Sequence, residues 1–266
     1  MDEIKHPSVR ECLRFFNITH GIEMVHTSDL PARTGIGSSS AFTVGFLKCL
    51  YALKGKMVTK RQLALDAIHI EQNIIKENVG SQDQTAVAFG GFNKIEFGGH
   101  QEMTVYPVTL SREKQDFFQK HLMLFFTGFS RNASDVAEEQ IKNIPEKKQE
   151  LKIIRQMVEE AFDVLNGNED NIDDFGKLLH KSWQVKRKLS SKISTSRIDE
   201  IYEAAISAGA LGGKLLGAGG GGFMLLFVKP ELQDRVKECL KGLLYVPFSF
   251  ETLGSQTIYY APNDNF

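Results

Sequence analysis

Eight of the fourteen residues from Gly209 to Gly222 are glycine, and Gly217 to Gly222 is an unbroken run of glycine and alanine. Such backbone loses more conformational entropy on ordering than any other, so a plain connector explains it poorly. A close approach of two backbones, or of backbone to ligand, is the expectation. Two familiar nucleotide motifs fail on context. Gly217-x-Gly219-x-x-Gly222 matches the dinucleotide fingerprint in letters, but that motif follows a strand and opens a helix. Here a helical pattern, Arg197 to Ala208 with Gly209 at the C′ position, comes first, and Phe223 to Val228 reads as a strand. Gly209 to Lys214 is one residue short of a Walker A spacing, and Leu215 stands where Ser or Thr belongs. A flexible glycine loop between helix and strand remains, led by Lys214.

A second small-residue stretch lies near the start: Asp29-Leu30-Pro31-Ala32-Arg33-Thr34-Gly35-Ile36-Gly37-Ser38-Ser39-Ser40-Ala41. It runs into Phe42, Phe46, Cys49, Leu50 and Leu53 at helical spacing, which predicts a helix over 38–53. A helix start offers unpaired N–H groups and the positive dipole end. Glycines admit an anion closely, and serine hydroxyls add donors or a metal ligand. Either a phosphate cradle or an ordinary Ser-capped helix after a glycine turn fits this stretch.

Between the two stretches the chain alternates helix and strand signals. Met1 to Asn17 is helical in pattern, and Ile22 to Thr27 alternates like a strand. Thr59 to Asn78 reads as a helix opened by a Thr59-x-x-Gln62 capping box. Glu71 falls on its apolar face between Ile68 and Ile74. A carboxylate there is a metal ligand, the partner of a cation, or an edge group reaching water. In the loop Val79 to Thr85, Asp83 fits a general base or a turn residue equally. Phe92–Phe97 and Met103–Val108 read as a hairpin around Gly98-Gly99, 112–120 as a charged linker, and Leu122–Thr127 as a buried strand. Arg131 follows that strand and either grips a phosphate or carboxylate or is a surface arginine. Helices then dominate to Ala208, Pro145 separating the first two; Ile172 to Leu189 buries Phe175, Leu178, Leu179 and Trp183. Its basic residues Lys181, Lys186, Arg187 and Lys188 read as a solvated face. A helix over 232–243 and strands near 245–252 and 257–260 close the chain.

Composition narrows the function classes. The 266 residues carry a formal net charge of −1 with 42% hydrophobic residues, which excludes a basic nucleic-acid binder. Cys12, Cys49 and Cys239 lie far apart and read as buried thiols of a reducing compartment rather than staples or zinc ligands. No apolar run reaches membrane-span length, and the start lacks a signal-peptide pattern. A cytoplasmic protein with a small-molecule partner, and neither nucleic acid nor membrane, is the expectation. The oligomeric state is not readable.

Three motifs occur in order: Pro31-x3-Gly35-Ile36-Gly37-Ser38-Ser39-Ser40-Ala41, Gly80-Ser81-Gln82-Asp83-Gln84, and Lys214-Leu-Leu-Gly217-Ala218-Gly219-Gly220-Gly221-Gly222. Together they resemble the galactokinase/homoserine kinase/mevalonate kinase/phosphomevalonate kinase (GHMP) family. The phrases around Trp183, Lys186 and Gly209–Leu216 are similar to its bacterial D-glycero-D-manno-heptose 7-phosphate kinases. The resemblance implies an α+β, two-domain fold: a ribosomal-protein-S5-like N-terminal half, residues 1–115, and a ferredoxin-like C-terminal half, residues 116–266. It implies ATP and Mg2+ as cofactors. Gly35, Gly37, Ser38, Ser39 and Ser40 would wrap the ATP phosphates, with Ser39 and Glu71 at the magnesium. Asp83 would accept the proton of the sugar hydroxyl. Arg131, Gly217, Ala218, Gly219 and Gly220 would face the substrate.

The implied reaction is phosphorylation of the anomeric hydroxyl of heptose 7-phosphate. A family kinase for fucose, galactose or mevalonate, or a non-catalytic ATP- or sugar-binding relative, are the alternatives. One departure stands out. The family's opening strands, and a Gly-rich segment ending in an acidic residue, have no counterpart before the first Gly/Ser motif. The chain therefore looks N-terminally truncated, with exposed edge strands and weak or absent activity as the expectation.

Overall fold

The computed structural model describes residues 3–30, 34–98, 103–129, 133–167 and 171–262. The chain forms two compact units. The first comprises Met1–Ala32, Gly37–Thr104 and Glu251–Phe266; the second comprises Arg33–Ile36 and Val105–Phe250. The C-terminal stretch thus groups with the first unit, and four residues of the first motif group with the second.

The first unit is built on α1 (Pro7–Phe15), α2 (Ser38–Leu53), α3 (Lys60–Ile68) and α4 (Gln82–Phe89). The predicted helix over 38–53 forms over those residues, but the buried face is turned from the expected stripe: Phe46 and Leu50 are buried as read, joined by Val44 and Leu47, while Cys49 and Leu53 are exposed. Thr59 caps α3, its hydroxyl accepting from the Gln62 N–H at 3.1 Å. The Gln62 side chain does not complete the capping box; it turns to Asp66, 2.7 Å away. The Asp66 carboxylate also accepts from the Tyr51 hydroxyl at 2.6 Å, and burial with this neighbour pushes the phenol up to about 12. The helix predicted over 59–78 changes form midway: His69–Ile74 is π-helical, with the Ile75 N–H reaching the Ile70 carbonyl at 2.8 Å. Residues 79–85, read as a loop, instead lead into α4. The C-terminal stretch crosses the end of α4, where the Gly91 N–H meets the Glu251 carbonyl and Ser255 N–H the Val87 carbonyl.

The hairpin expectation holds for β1 (Asn93–Phe97) and β2 (Met103–Pro107), which pair in a two-stranded sheet. The strands expected over 22–27 and 257–260 do not form. Neither stretch has ladder partners among the described residues, and Val25 is 83% and Ile258 95% exposed. Alternation marks a strand-competent sequence, and a strand also needs a neighbour.

The second unit centres on a four-stranded antiparallel sheet in the order β4 (Gly212–Leu215), β5 (Phe223–Phe227), β3 (Leu122–Phe126), β6 (Leu244–Tyr245). β3 and β5 pair from Leu122↔Phe227 to Phe126↔Phe223. With α6 (Ala133–Asn143), α7 (Lys148–Asn166), α8 (Ile172–Lys186) and α9 (Ser196–Ser207) between β3 and β4, and α10 (Gln233–Cys239) between β5 and β6, the topology is a ferredoxin-like split β-α-β. Trp183, Tyr202, Phe125, Met224 and Leu226 anchor its core. Residues 112–120 are not a linker: they form α5 (Arg112–Lys120), N-capped by Ser111 and burying Phe118. The glycine loop also contains structure, since β4 lies within it. A Cβ at Gly212 would collide with the Gly176 carbonyl of α8 and stand 2.7 Å from the His180 nitrogen. Small residues here let helix and strand touch backbone to backbone. Cys12 is buried, but Cys49 and Cys239 are exposed, which corrects the reading of three buried thiols. No helix among the described residues is long and apolar enough to cross a membrane.

Candidate active site

In the first unit the chemistry gathers at the start of α2. Its N-cap is Gly37, with φ +75°, and no side chain caps the helix. The Ser-capped alternative is therefore not what the chain adopts, and the first-turn N–H groups keep their anion-binding capacity. A Cβ on Gly37 would stand 2.9 Å from Cγ of Asp83, so glycine here serves both the left-handed turn and the approach of a carboxylate. Asp83 lies in the first turn of α4, and its carboxyl is held above the usual range by burial first and by the Glu71 charge second. The same two causes raise Glu77.

Glu71 sits within the π-helical segment and is 1% exposed. Its Oε2 accepts from the Ser40 hydroxyl at 2.8 Å and from the Gln84 amide. Its Oε1 has no partner among the described residues, nor has Gln84 Oε1. A buried carboxylate oxygen without a donor is costly and fits a cation. Among the described residues no cluster of three or more His, Cys, Asp or Glu could hold a metal. This donor set suits Mg2+, which takes one or two carboxylates and fills its shell with water and phosphate oxygens. The hydroxyl on Glu71 belongs to Ser40; Ser39, one residue earlier, faces solvent.

In the second unit, Thr34–Ile36 and the glycine run close on each other. A Cβ on Gly217 would stand 2.6 Å from the Gly35 carbonyl oxygen, and one on Gly222 would collide with the Thr34 carbonyl. Gly217, at φ +64°, and Gly222, at φ +104°, are thus where two backbones need glycine. The run is held firmly. The Gly222 carbonyl accepts from both the N–H and the hydroxyl of Thr127 at 2.8 Å, the Gly220 N–H donates to Ile193, and Gln140 donates to the Ala218 carbonyl. The two motifs come together as expected, by backbone contact, at Gly35 and Gly217. Arg131 lies outside the described residues.

Sequence reasoning missed two residues. Gln84 belongs to the second motif and carries no role in the sequence reading, yet its amide donates to Glu71. Lys186 was placed on a solvated face, although the structure turns it inward onto the Leu215 and Gly217 carbonyls at 3.1 and 2.6 Å. The signal was present: Lys186 lies seven residues after Leu179 and three after Trp183, on the buried stripe.

The architecture is that of a two-unit α+β protein with glycine loops and an uncapped helix start suited to phosphate. Family models agree: residues 7–91 match the GHMP kinases N terminal domain and 148–245 the GHMP kinases C terminal. The D-glycero-alpha-D-manno-heptose 7-phosphate kinase of Campylobacter jejuni is 31% identical over 86% of this chain and 69% of that protein. A mevalonate kinase of Thermococcus onnurineus is 29% identical over 82% of the chain, which spans 62% of that kinase's length. In structure, a D-glycero-D-manno-heptose 1-phosphate kinase from Bacteroides thetaiotaomicron superposes with a TM-score of 0.71 at 24% identity, covering 97% of this chain and 77% of that one. The chain belongs to the GHMP kinase family, a family of ATP-dependent phosphotransferases.

Proposed function

We propose that the chain transfers the γ-phosphoryl group of ATP to the anomeric hydroxyl of D-glycero-D-manno-heptose 7-phosphate, giving the 1,7-bisphosphate for nucleotide-activated heptose synthesis in the cytoplasm. The observation that carries this reading is Asp83 seated against Gly37 at the uncapped start of α2. The similarity to the Campylobacter heptose 7-phosphate kinase supports the acceptor. The family-model matches, which fall on either side of residue 115, support the division into halves 1–115 and 116–266.

In this mechanism the N–H groups of Ser38, Ser39 and Ser40, with Gly35 and Gly37, receive the phosphate oxygens. The sugar oxygen bonds to the γ-phosphorus as the bond to the β–γ bridging oxygen breaks and ADP departs. The hydroxyl proton passes to the Asp83 carboxylate. Glu71 and the Ser39 hydroxyl would hold Mg2+, with Ser40 and Gln84 orienting the carboxylate. Bound there, Mg2+ supplies charge neutralisation for the phosphates. Arg131 is the proposed contact to the substrate phosphate, and Gly217, Ala218, Gly219 and Gly220 shape the pocket wall.

ADP release with Mg–ATP and an acceptor panel tests the reading. Heptose 7-phosphate-dependent release, lost in Asp83→Asn while ATP still binds, supports it. Release with fucose, galactose or mevalonate instead assigns another acceptor. ATP binding without turnover on any acceptor identifies a binding relative.

A further inference from the structure

Helix α7 of the second unit carries its charges against its own dipole. Lys147, Lys148 and Lys152 stand at its start, where the dipole favours acids. Glu159, Glu160 and Asp163 stand toward its end, where bases are favoured, and its last turn contains no base. Glu150 has the favoured sign and pairs with Lys147 at 3.6 Å, and Lys114 of α5 donates to the Gly167 carbonyl just past the helix. Lys148, Lys152, Arg155, Glu159 and Asp163 follow one another at helical spacing and are all exposed. Lys148 with Lys152, and Glu159 with Asp163, are like charges four residues apart, which weaken an isolated helix. Leu151, 36% exposed, and Val158, 44% exposed, border this stripe. Of the nineteen residues of α7 only Leu165 is buried, while Ile154 packs on the core from the opposite side.

The stripe is complementary to itself when reversed. About the midpoint between Arg155 and Gln156, Lys148 mirrors Asp163 and Lys152 mirrors Glu159. We propose that α7 is a homodimer interface, with α7 of a second copy lying antiparallel across it. A two-fold axis at that midpoint sets Lys148 opposite Asp163 of the second copy and Lys152 opposite its Glu159, and the symmetry forms each pair twice. Leu151 and Val158, one residue from mirror positions, add apolar contact beside the ion pairs. The pairing opposes the two helix dipoles and brings the acidic end of each helix over the basic end of the other. A parallel copy would set lysine on lysine, so charge fixes the orientation. Two helices about 28 Å long form an interface at the small end of the range, so the dimer is weak, with dissociation constants in the micromolar range. The pairing does not rest on the kinase reading, and acceptor assays do not bear on it.

The test is sedimentation equilibrium of the intact chain from about 1 to 100 μM in low salt. The parent should dimerise within that range. Raising the salt from about 0.05 to 0.5 M should weaken the dimer about tenfold, because exposed charges are screened. Lys148→Glu with Lys152→Glu should be monomeric, and so should Glu159→Lys with Asp163→Lys, because each stripe then repels its own copy. At a dilution where the parent is monomeric, both variants should melt no lower than the parent, since their charges now agree with the dipole. An equimolar mixture of the two variants should regain the dimer, because every pair is again of opposite sign. A parent that stays monomeric at about 100 μM overturns the proposal, and so does a dimer that survives either pair of reversals. A mixture that stays monomeric while both variants are folded overturns it as well.

Discussion

Glu71→Gln should reverse sign between the free and the ligand-bound protein. Without ligand, the parent buries a carboxylate with one oxygen unpartnered among the described residues and with its charge acting on Asp83 and Glu77. The amide is nearly the same size, keeps an oxygen for Ser40 and Gln84, and removes the unpartnered charge. An unsatisfied buried polar group costs about 1–3 kcal/mol. Relief of even the lower figure raises the melting temperature by about 2–4 °C for a chain of this size. With Mg–ATP the order should invert. A ligand at a hundred times its dissociation constant stabilises the parent by about 2.7 kcal/mol, and the variant loses most of this with its carboxylate. Four melting curves, parent and variant with and without Mg–ATP, measure both effects. A variant less stable than the parent without ligand, or stabilised equally by Mg–ATP, would refute the cation reading of Glu71.

Gly37→Ala forces an L residue to φ +75° and a methyl group against Asp83. The expected cost is about 1–2 kcal/mol in stability, seen by urea titration, with turnover falling on the order of a hundredfold as the carboxylate shifts; parental turnover refutes the contact. Gly212→Ala drives a methyl group into the α8 backbone and should lose about 1–3 kcal/mol or the soluble fold altogether, read by soluble yield and urea midpoint. Because the Asp83 carboxyl is raised in the folded chain, turnover should fall with decreasing pH before an ordinary aspartate would protonate. The folded state then binds more protons than the unfolded one between the ordinary and raised values, so this group's contribution to stability declines as pH rises through that window. Asp83→Asn should remove the decline, giving a flatter plot of urea midpoint against pH.

What the sequence made legible was the part written as periodicity. The helix over 38–53 and strands β3 and β5 carry apolar patterns strong enough to fix their type, although the buried face of the helix takes in Val44 and Leu47 rather than Cys49 and Leu53. Missed elements draw their form from neighbours. α4 is rich in small and polar residues and is held by packing against α2 and α3. α5 hides one buried phenylalanine among charges. Gly212 and Gly213 lack strand propensity and become β4 by pairing with Phe227 and Leu226. At the site, Glu71 was visible as a carboxylate on an apolar helix face, and Asp83 as an acid in a small, polar stretch between apolar segments. The π turn that carries Glu71 was not, because a shift from i→i+4 to i→i+5 bonding leaves no compositional mark.

The basic run Lys181 to Lys188 shows why residue type is weaker guidance than angle. Lys181 and Lys188 meet water, Arg187 meets Asp199 and lies over the Trp183 ring, and Lys186 shares the face of Leu179 and Trp183. What awaits it there is a pair of carbonyls rather than an acid, so its function is tied to the backbone it holds. Gly217 is the residue whose α-carbon faces the Gly35 carbonyl, and Gly35 belongs to the first motif. The lysine therefore braces, through one peptide, the contact that joins two glycine motifs almost two hundred residues apart in sequence. That contact leaves no space for a side chain and is held by hydrogen bonds at several points. A turn so constrained holds its backbone in one arrangement without a ligand to order it.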